Sequence, residues 1–288
     1  MITWSVFSKP WRTLAPGPLA ELIAGLGFTG VEVPVRPGCY LDPDNVGAEL
    51  PGFVRTLAEH GVQVISVAAD PDQPVFAACA EAGVGMIRTM AAVGDDGYRP
   101  SVDRLRRDWA DRVVPWCAAH GVRVGVQLHR GRYVETTLGV LALIEDLPGF
   151  ELVWDAAHDA LTGVDPVRSL DLAWPRLGLV NLKNGHYYRP APADSASSER
   201  RPGSLRRSSG ERSGGEERRG VVYRVRFGPA DSGLADWGRI LGHLKQRGWT
   251  GAVCLTAEYS DATGPDQVAE LVRADLATAR DHWDNIEL

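Results

Sequence analysis

Cysteine is scarce in this chain and is not spaced for metal binding or cross-linking. The sequence has 288 residues and four cysteines, and no two of the cysteines stand in a C-x-x-C spacing. This excludes a zinc ribbon and a thioredoxin-like redox motif, and it leaves no disulfide framework for so long a chain. We therefore expect a reduced, cytoplasmic protein. The cysteines are Cys39, Cys79, Cys117 and Cys254.

Long apolar runs and an excess of basic residues are also missing. No apolar stretch reaches the roughly 20 residues of a membrane-spanning helix, and the first residues lack the basic start and apolar stretch of a secretion signal. The 31 Lys and Arg residues are outnumbered by 37 Asp and Glu residues, so the formal net charge is -6. Because phosphate binding needs a concentrated basic surface, we expect no nucleic-acid partner and no membrane association.

Glycine and proline, by contrast, are abundant, with 32 and 19 residues respectively. The glycines recur in one sequence pattern, in which a helix-like segment ends at a Gly and a short β-branched run follows. The first Gly of each copy of the pattern suits the position after a helix, where a positive φ turns the chain into the next strand. These glycines are Gly27, Gly61, Gly83, Gly121 and Gly248.

Three further β-like runs, at 2–7, 152–155 and 179–183, complete a set of eight strands that alternate with helical segments. Strict alternation implies right-handed crossovers and a parallel sheet. Eight units in this length predict a single-domain α/β fold, a (β/α)8 TIM barrel over residues 1–288. An open doubly wound sheet is the alternative. However, no G-x-G-x-x-G turn follows the first strand, and polar residues stand near the ends of many strands rather than at one switch point.

Residues 190–220 interrupt the alternation of strands and helices. Leu205 is the single large apolar residue in a segment rich in Ser, Arg, Gly and Glu. Such a segment cannot bury enough surface to order itself, so we predict a disordered insertion after the seventh strand. Because it leaves the barrel at the mouth, a role as a lid is an alternative to a plain solvated loop.

Polar side chains near the ends of the last four barrel strands are expected to meet at the mouth. Residues two apart on a strand point the same way, so Gln127 and His129 share one face while Val124, Val126 and Leu128 form the opposite, helix-facing set. By the same alternation, Asn181 and Lys183 share one face of their strand, and Thr256 and Glu258 share one face of theirs. The polar residues expected to converge are Gln127, Asp155, Asn181, Lys183 and Glu258, and His158 follows Asp155 in the next loop.

Residues from the first strands are less sharply indicated. Glu32, Arg36 and Arg88 either line the mouth or form an ion pair between strands. Trp11 lies close to the end of the first strand, where an indole ring can stack on a bound ligand. We therefore assign Arg36 and Trp11 to the substrate-binding set as hypotheses.

Four stretches carry a family resemblance. Over most of its length the chain resembles the xylose-isomerase-like barrels of the sugar phosphate isomerase/epimerase superfamily. In that family, strands five to eight typically provide Glu, Asp, His and Glu as ligands of one divalent metal. The resemblance implies that Asp155 and Glu258 are metal ligands and that His158 contacts the substrate. The stretches are VQLHRG (126–131), WDAAHDAL (154–161), VNLKN (180–184) and CLTAEYS (254–260).

Two positions depart from the family pattern. Gln127 stands where the family usually has its first Glu, and Asn181 stands where it usually has His. The ligand set implied for this chain is then Gln127, Asp155, Asn181 and Glu258, with two charges rather than three. All-oxygen ligands suit Mn²⁺ or Mg²⁺ better than zinc, and the lower charge predicts a metal that is weakly bound or absent.

The departures also shape the expected chemistry. Epimerisation in this family uses carboxylates on opposite faces of the substrate, and the amide of Gln127 cannot accept a proton unless His129 substitutes for it. We expect Glu258 to remove a proton α to a carbonyl, while Lys183, His158 and any metal stabilise the enediolate. This favours a sugar, polyol or cyclitol isomerase or epimerase-like enzyme, with dehydration as a variant of the same chemistry.

Two further hypotheses come from other classes. The loss of two usual ligands also fits a barrel that binds a sugar-like ligand without catalysis. A DNA-repair nuclease of the endonuclease IV type needs a histidine-rich trinuclear zinc site, and too few of the seven histidines are left for the mouth. Barrels of this family often pair, so the resemblance is also consistent with a homodimer.

Overall fold

The structure is a computed structural model that describes residues 2–190 and 223–286. The strands in this part of the chain are β1 (Thr3–Phe7), β2 (Gly30–Pro34), β3 (Gln63–Ala68), β4 (Met86–Met90), β5 (Arg123–Gln127), β6 (Phe150–Asp155), β7 (Leu177–Leu182), β8 (Asn184–Tyr188), β9 (Arg224–Gly228) and β10 (Ala252–Leu255). The helices are α1 (Pro16–Gly25), α2 (Val46–Glu59), α3 (Gln73–Ala82), α4 (Tyr98–Asp108), α5 (Val114–His120), α6 (Thr137–Ile144), α7 (Ala156–Ala160), α8 (Pro166–Ala173), α9 (Trp237–Gln246) and α10 (Pro265–Asp284).

Eight of the strands close into a parallel barrel, which confirms the predicted TIM fold. The order around the barrel is β1, β2, β3, β4, β5, β6, β7 and β10, and β10 pairs again with β1. Strands β8 and β9 form a separate antiparallel hairpin, with Asn184 opposite Gly228. The predicted insertion at 190–220 lies between these two hairpin strands, and from residue 191 onward it falls outside the described residues.

The helix ends follow the glycine pattern. All five glycines predicted to end helices have positive φ, between 66° and 92°. The helical segment before β5 is irregular, because a π-helical turn at Trp109–Val113 lies between α4 and α5. Pro115 follows this turn and has no N–H to donate to the preceding turn, so a regular α-helical ladder cannot continue through it.

The barrel strands are buried on both faces, as expected for a parallel sheet covered by helices. The helix-facing set predicted for β5 is confirmed, because Val124, Val126 and Leu128 belong to the large apolar cluster between the sheet and the helices. A second, smaller cluster fills the inside of the barrel. Its members are Phe7, Ala68, Met86, Val153, Leu179 and Cys254.

A buried ion pair lies above this inner cluster, toward the carboxyl ends of the strands. Arg88 donates through Nη2 to Glu32 Oε2 at 2.6 Å and through Nε to Glu32 Oε1 at 3.0 Å. Ser66 Oγ donates to the same Oε1 at 2.8 Å, and the Arg88 guanidinium lies over the Phe7 ring. The pair joins β2 to β4 across β3, so the ion-pair alternative considered for Glu32 and Arg88 is confirmed.

None of the helices in the described part of the chain combines the length and apolarity that a membrane crossing requires.

Gly125 on β5 is a position where the barrel interior leaves no space for a side chain. A Cβ there would lie 2.6 Å from Val153 Cγ2 and 3.0 Å from Met86 Sδ. We expect Gly125→Ala to lower the free energy of unfolding by about 1–3 kcal/mol, because overpacking displaces neighbouring side chains. Urea denaturation measures this. Gly47→Ala, in open space on α2, is the control and should be neutral or stabilising by up to about 1 kcal/mol.

The Glu32–Arg88 pair provides a second stability test. Glu32→Gln leaves the buried guanidinium without a compensating charge, so we expect the free energy of unfolding to fall by about 3–5 kcal/mol. Exposed Glu49 on α2 offers the matched substitution Glu49→Gln, which should change it by less than about 0.5 kcal/mol. Equal denaturation midpoints for the two variants would contradict the structural role assigned to the pair.

Candidate functional site

The carboxyl ends of the barrel strands surround a central cavity of about 60 Å³. Phe7, Lys9, Arg88, Met90 and Thr256 form part of its wall. The rest of the wall consists of residues predicted for the site, namely Arg36, Gln127, His129, Asn181, Lys183 and Glu258. Asp155 and His158, which were also predicted, lie fully buried beside this cavity and contact its lining residues.

The side chains reach the cavity from strand ends and from the residues just beyond them. Gln127 and Asp155 are the last residues of β5 and β6. His129, Lys183 and Glu258 were predicted within their strands, and the structure corrects this, because all three lie past the last paired residue. The directions of these three side chains are therefore set by local turns and not by strand alternation.

The ammonium group of Lys183 occupies the middle of the site. Its Nζ lies 3.0 Å from Glu258 Oε2, 3.0 Å from His158 Nε2 and 3.7 Å from Asp155 Oδ2. The Phe227 ring covers another side, with its centroid 4.3 Å from Nζ. The Lys183 side chain is only 3% exposed, so these groups replace the hydration shell that a charged amine needs.

Charge pairing dominates the protonation of this cluster. Burial disfavours the charged form of Lys183, but the carboxylates of Asp155 and Glu258 outweigh it and raise the lysine pKa. Burial also opposes ionisation of Glu258, yet the ammonium groups of Lys183 and Lys9 hold its pKa well below the usual range. The site therefore contains a protonated amine beside ionised carboxylates.

Glu258 is the most accessible charged group of the cluster. Its side chain is 27% exposed, and Lys9 Nζ donates to Oε1 at 2.7 Å while Lys183 holds Oε2. The preceding residue, Ala257, has a φ of 51°, a left-handed conformation that costs a non-glycine residue about 1–3 kcal/mol. This turn directs the Glu258 carboxylate back over the barrel mouth.

Asp155 and His158 form a buried unit behind Lys183. Asp155 Oδ1 accepts the backbone N–H of His158 at 3.1 Å, so Asp155 caps the short helix α7 as well as facing the site. Burial lowers the pKa of His158 to about 3, which leaves the imidazole neutral. Because the Lys183 ammonium donates to Nε2, the proton of the neutral ring is on Nδ1.

Gln127 connects the ion pair of the barrel interior to this cluster. Its Oε1 accepts from Arg88 Nη1 at 2.9 Å, and its Nε2 donates to Asp155 Oδ2 at 2.8 Å. The reverse amide orientation would set an NH₂ group against a guanidinium and an oxygen against a carboxylate. The environment therefore fixes the amide, with its oxygen directed at Arg88.

The four residues implied as metal ligands do not fit a divalent cation in this arrangement. The Gln127 oxygen is taken by Arg88, and the amide nitrogen rather than an oxygen faces Asp155. The Lys183 ammonium stands between Asp155 and Glu258, where it would repel a second cation. Within residues 2–190 and 223–286, no cluster of three or more His, Cys, Asp or Glu side chains is arranged to hold a metal ion.

Three polar atoms at the site have free hydrogen-bonding capacity. Asn181 Oδ1 and His158 Nδ1 are buried, and no group in the described residues pairs with them. The His129 ring lies 4.1 Å from the His158 ring, centroid to centroid, and its Nδ1 is 2.7 Å from the Arg130 carbonyl oxygen. That carbonyl requires the proton on Nδ1, so the neutral ring keeps a lone pair on Nε2.

Two site residues were missed from the sequence. Lys9 follows β1 by two residues, and its position at a strand end was the available signal. Phe227 lies on β9 beyond the insertion, where no periodic pattern marks it. Phe227 N–H donates to Ser260 Oγ at 2.8 Å, and Ser260 N–H donates back to the Phe227 carbonyl, which ties β9 to the loop that carries Glu258.

Trp11 is not at the mouth. Its side chain is 5% exposed and packs in the apolar layer, and its Nε1–H points to the Pro265 carbonyl oxygen at 3.3 Å. The substrate-stacking role predicted for Trp11 therefore does not agree with its position. The reason is a short 3-10 helix at Lys9–Trp11, which turns Lys9 rather than the indole toward the cavity.

Two larger cavities adjoin the central one. A cavity of about 470 Å³ shares Arg36 and Arg88 with it, and one of about 550 Å³ shares Lys9, His129 and Glu258. Within the described part of the chain, the Arg36 side chain makes no hydrogen bond or ion pair. The combined space accommodates a molecule larger than the central cavity alone admits.

Solved structures of known enzymes share this fold at low sequence identity. A 3-keto-D-glucoside 4-epimerase from E. coli has a TM-score of 0.67 and 17% identity, covering 98% of this chain and 100% of its own. An L-ribulose 3-epimerase has a TM-score of 0.70, 15% identity and coverage of 99% and 96%. A probable 3-DHS dehydratase from Bacillus anthracis has a TM-score of 0.66, 15% identity and coverage of 97% and 99%.

Among curated proteins, none matches the sequence. The family described as "Xylose isomerase-like TIM barrel" matches residues 20–281, which is most of the chain. This match agrees with the closed barrel and with the resemblance seen in the four sequence stretches. The chain therefore belongs to the xylose isomerase-like TIM barrel family.

Proposed function

We propose that this protein is an enzyme that acts on a small carbonyl-bearing sugar, polyol or cyclitol and removes a proton from the carbon next to the carbonyl group. The observation that carries the proposal is the contact between the Glu258 carboxylate and the Lys183 ammonium, 3.0 Å apart on the wall of one cavity. A carboxylate can accept a carbon-bound proton, and an adjacent ammonium can stabilise the oxygen on which negative charge develops.

Each side chain has a defined task in this reaction. Glu258 takes the proton from the carbon α to the carbonyl, and the electron pair moves onto the carbonyl oxygen to give an enediolate. Lys183 donates a hydrogen bond to that oxygen. Asn181, whose amide has no partner in the described residues and lines the cavity, accepts a hydrogen bond from a substrate hydroxyl.

Lys9 controls the strength of the base. In the free protein, Glu258 is held by two ammonium groups, which makes it a weak proton acceptor. The Lys9 side chain is 47% exposed, so a substrate can displace it from Oε1 and leave the carboxylate paired with Lys183 alone. Binding therefore opens the narrow central cavity and strengthens the base in the same step.

The step after the enediolate forms depends on the residue at position 127. Its amide is fixed between Arg88 and Asp155 and cannot exchange a proton, so one base serves the whole cycle. In isomerisation, Glu258 returns the proton to the former carbonyl carbon while the hydroxyl proton passes to the former carbonyl oxygen. In dehydration, the enediolate instead expels a β-hydroxyl, which leaves as water with the proton that Glu258 removed.

The two larger cavities accommodate the part of the substrate that does not react. The central cavity of about 60 Å³ is much smaller than the two cavities that adjoin it, so it accommodates only the reacting atoms. The remainder of the substrate extends into the cavity of about 470 Å³, where the Arg36 guanidinium can bind oxygen atoms. This arrangement supports a small carbohydrate-like substrate rather than a macromolecule.

Hydrogen exchange with solvent tests the reaction directly. The protein is incubated in D₂O with a panel of aldoses, ketoses and keto-cyclitols, and proton NMR follows loss of the signal α to the carbonyl. We expect exchange with at least one compound, and Glu258→Gln should slow it by about 100-fold or more because the base is lost. Glu270→Gln, on the exposed face of α10, is the control and should keep the wild-type rate.

No exchange with any compound in the panel would contradict the proposal. If such a compound still raised the melting temperature, the alternative of a non-catalytic sugar-binding barrel would be supported instead. Exchange that persists in Glu258→Gln would show that another group is the base.

The stereochemistry of the product tests the single base. With one proton-transferring group, deuterium enters from one face, so we expect a ketose, an aldose or an unsaturated dehydration product and no epimer at the exchanging carbon. Chiral chromatography of the NMR samples identifies the products. An epimer would require a second base, and loss of the epimer in His129→Gln would then assign it to the free Nε2 of His129.

A further inference from the structure

The position that a metal cation is expected to take in this family is held by a lysine in this protein. Members of this family are expected to carry a cation between the carboxylates of strands six and eight of the barrel. Here the corresponding residues, Asp155 and Glu258, both face one atom, the Nζ of Lys183, at 3.7 Å and 3.0 Å. No residue other than Lys183 provides a positive charge between these two carboxylates in the described structure.

The surroundings of Nζ are those of a bound cation. Besides the two carboxylates, His158 presents the lone pair of Nε2 at 3.0 Å, and the Phe227 ring lies 4.3 Å away. A neutral imidazole, two carboxylates and an aromatic face are all groups that attract positive charge. The four partners of Lys183 come from three separate parts of the chain, and the lysine side chain is 3% exposed.

The charges of the connected network already balance. Glu32, Asp155 and Glu258 are its carboxylates, and their oxygen atoms lie within 4 Å of a basic side chain in each case. The cations in these contacts are Lys9, Arg88 and Lys183. Three negative and three positive groups cancel, so a divalent ion would bring two uncompensated charges into a buried site.

The glutamine at position 127 agrees with this balance. A carboxylate there would be a fourth anion, and its nearest neighbours would be both Arg88 and the carboxylate of Asp155. The amide satisfies both neighbours at once, since it accepts from the guanidinium and donates to the carboxylate. Replacement of the first ligand and the presence of the buried lysine are therefore two parts of one arrangement.

We propose that the ammonium group of Lys183 takes the place of the divalent cation in this barrel, so that the protein binds no metal at this site. The permanent charge of the lysine then both organises Asp155, His158 and Glu258 and excludes Mn²⁺ or Mg²⁺. This inference rests on side-chain geometry and not on the proposed reaction. Its test therefore measures metal binding and stability and needs no substrate.

The experiment compares metal binding by the wild type, Lys183→Met and Lys183→Arg. Each protein is treated with EDTA and dialysed, and its melting temperature is then recorded with and without 1 mM MnCl₂. Isothermal titration calorimetry with MnCl₂ gives the stoichiometry. We expect no binding and no shift for the wild type or for Lys183→Arg, which keeps the charge.

Lys183→Met is the informative variant, because it leaves Asp155 and Glu258 facing an uncharged side chain. We expect it to bind one Mn²⁺ per chain and to melt at least about 3 °C higher with the metal than without it. The double variant Lys183→Met, Asp155→Asn should lose this effect. Gln127→Glu, which adds an oxygen ligand but keeps the lysine, should still bind no metal.

Three results would overturn the proposal. The first is stoichiometric Mn²⁺ binding by the wild type that Asp155→Asn abolishes. The second is folded Lys183→Met that gains no affinity for the metal. The third is a gain of metal binding by Gln127→Glu, which would mean that the missing ligand and not the lysine excludes the ion. If Lys183→Met does not fold, the wild type and Gln127→Glu still decide between the two explanations.

Discussion

One connected set of hydrogen bonds and ion pairs joins the carboxyl ends of all eight barrel strands. It starts at Ser66 on β3, passes through Glu32 on β2 to Arg88 on β4, and continues through Gln127 on β5 to Asp155 on β6. From there it follows the ion pairs of Lys183, Glu258 and Lys9, which stand beyond the ends of β7, β10 and β1. Because Glu32, Arg88, Gln127, Asp155, Lys183 and Glu258 each contact two or more members, the network holds these side chains in place.

This network also explains why the residues at the site differ from the family pattern. A buried charge is tolerated only when it is paired and hydrogen-bonded, so replacing any one member by a group of different charge affects its neighbours. Glutamine at 127 and lysine at 183 are compatible with each other for this reason. The accessible end of the network consists of Glu258 and Lys9, while the members deeper in the barrel are buried.

Much of the fold could be predicted from local sequence, because each repeating unit carries its own signals. A glycine that ends a helix and a β-branched run that follows it are interactions over a few residues, and five such glycines have the expected backbone conformation. The burial of β5 on its helix-facing side followed from simple alternation. Asp155, Gln127 and Asn181 were placed correctly at strand ends because they lie within or at the limit of regular strands.

The remaining parts of the site depend on contacts that no local pattern records. Lys9 and Glu258 are separated by 249 positions and meet because the barrel closes. His129, Lys183 and Glu258 lie beyond their strands, where turn geometry such as the left-handed Ala257 decides the direction of a side chain. Trp11 was assigned to the mouth from its distance along the chain, whereas a single helical turn buries it.

The antiparallel hairpin of β8 and β9 has a consequence for how this barrel tolerates change. Its register is set by pairs from Asn184–Gly228 to Tyr188–Arg224, which hold Phe227 against Lys183 whatever length of chain connects the two strands. The entropy of closing such a connection grows only with the logarithm of its length. The cost of closing the connection between 190 and 223 therefore changes little with its length, while the register of the hairpin places Phe227 at the mouth.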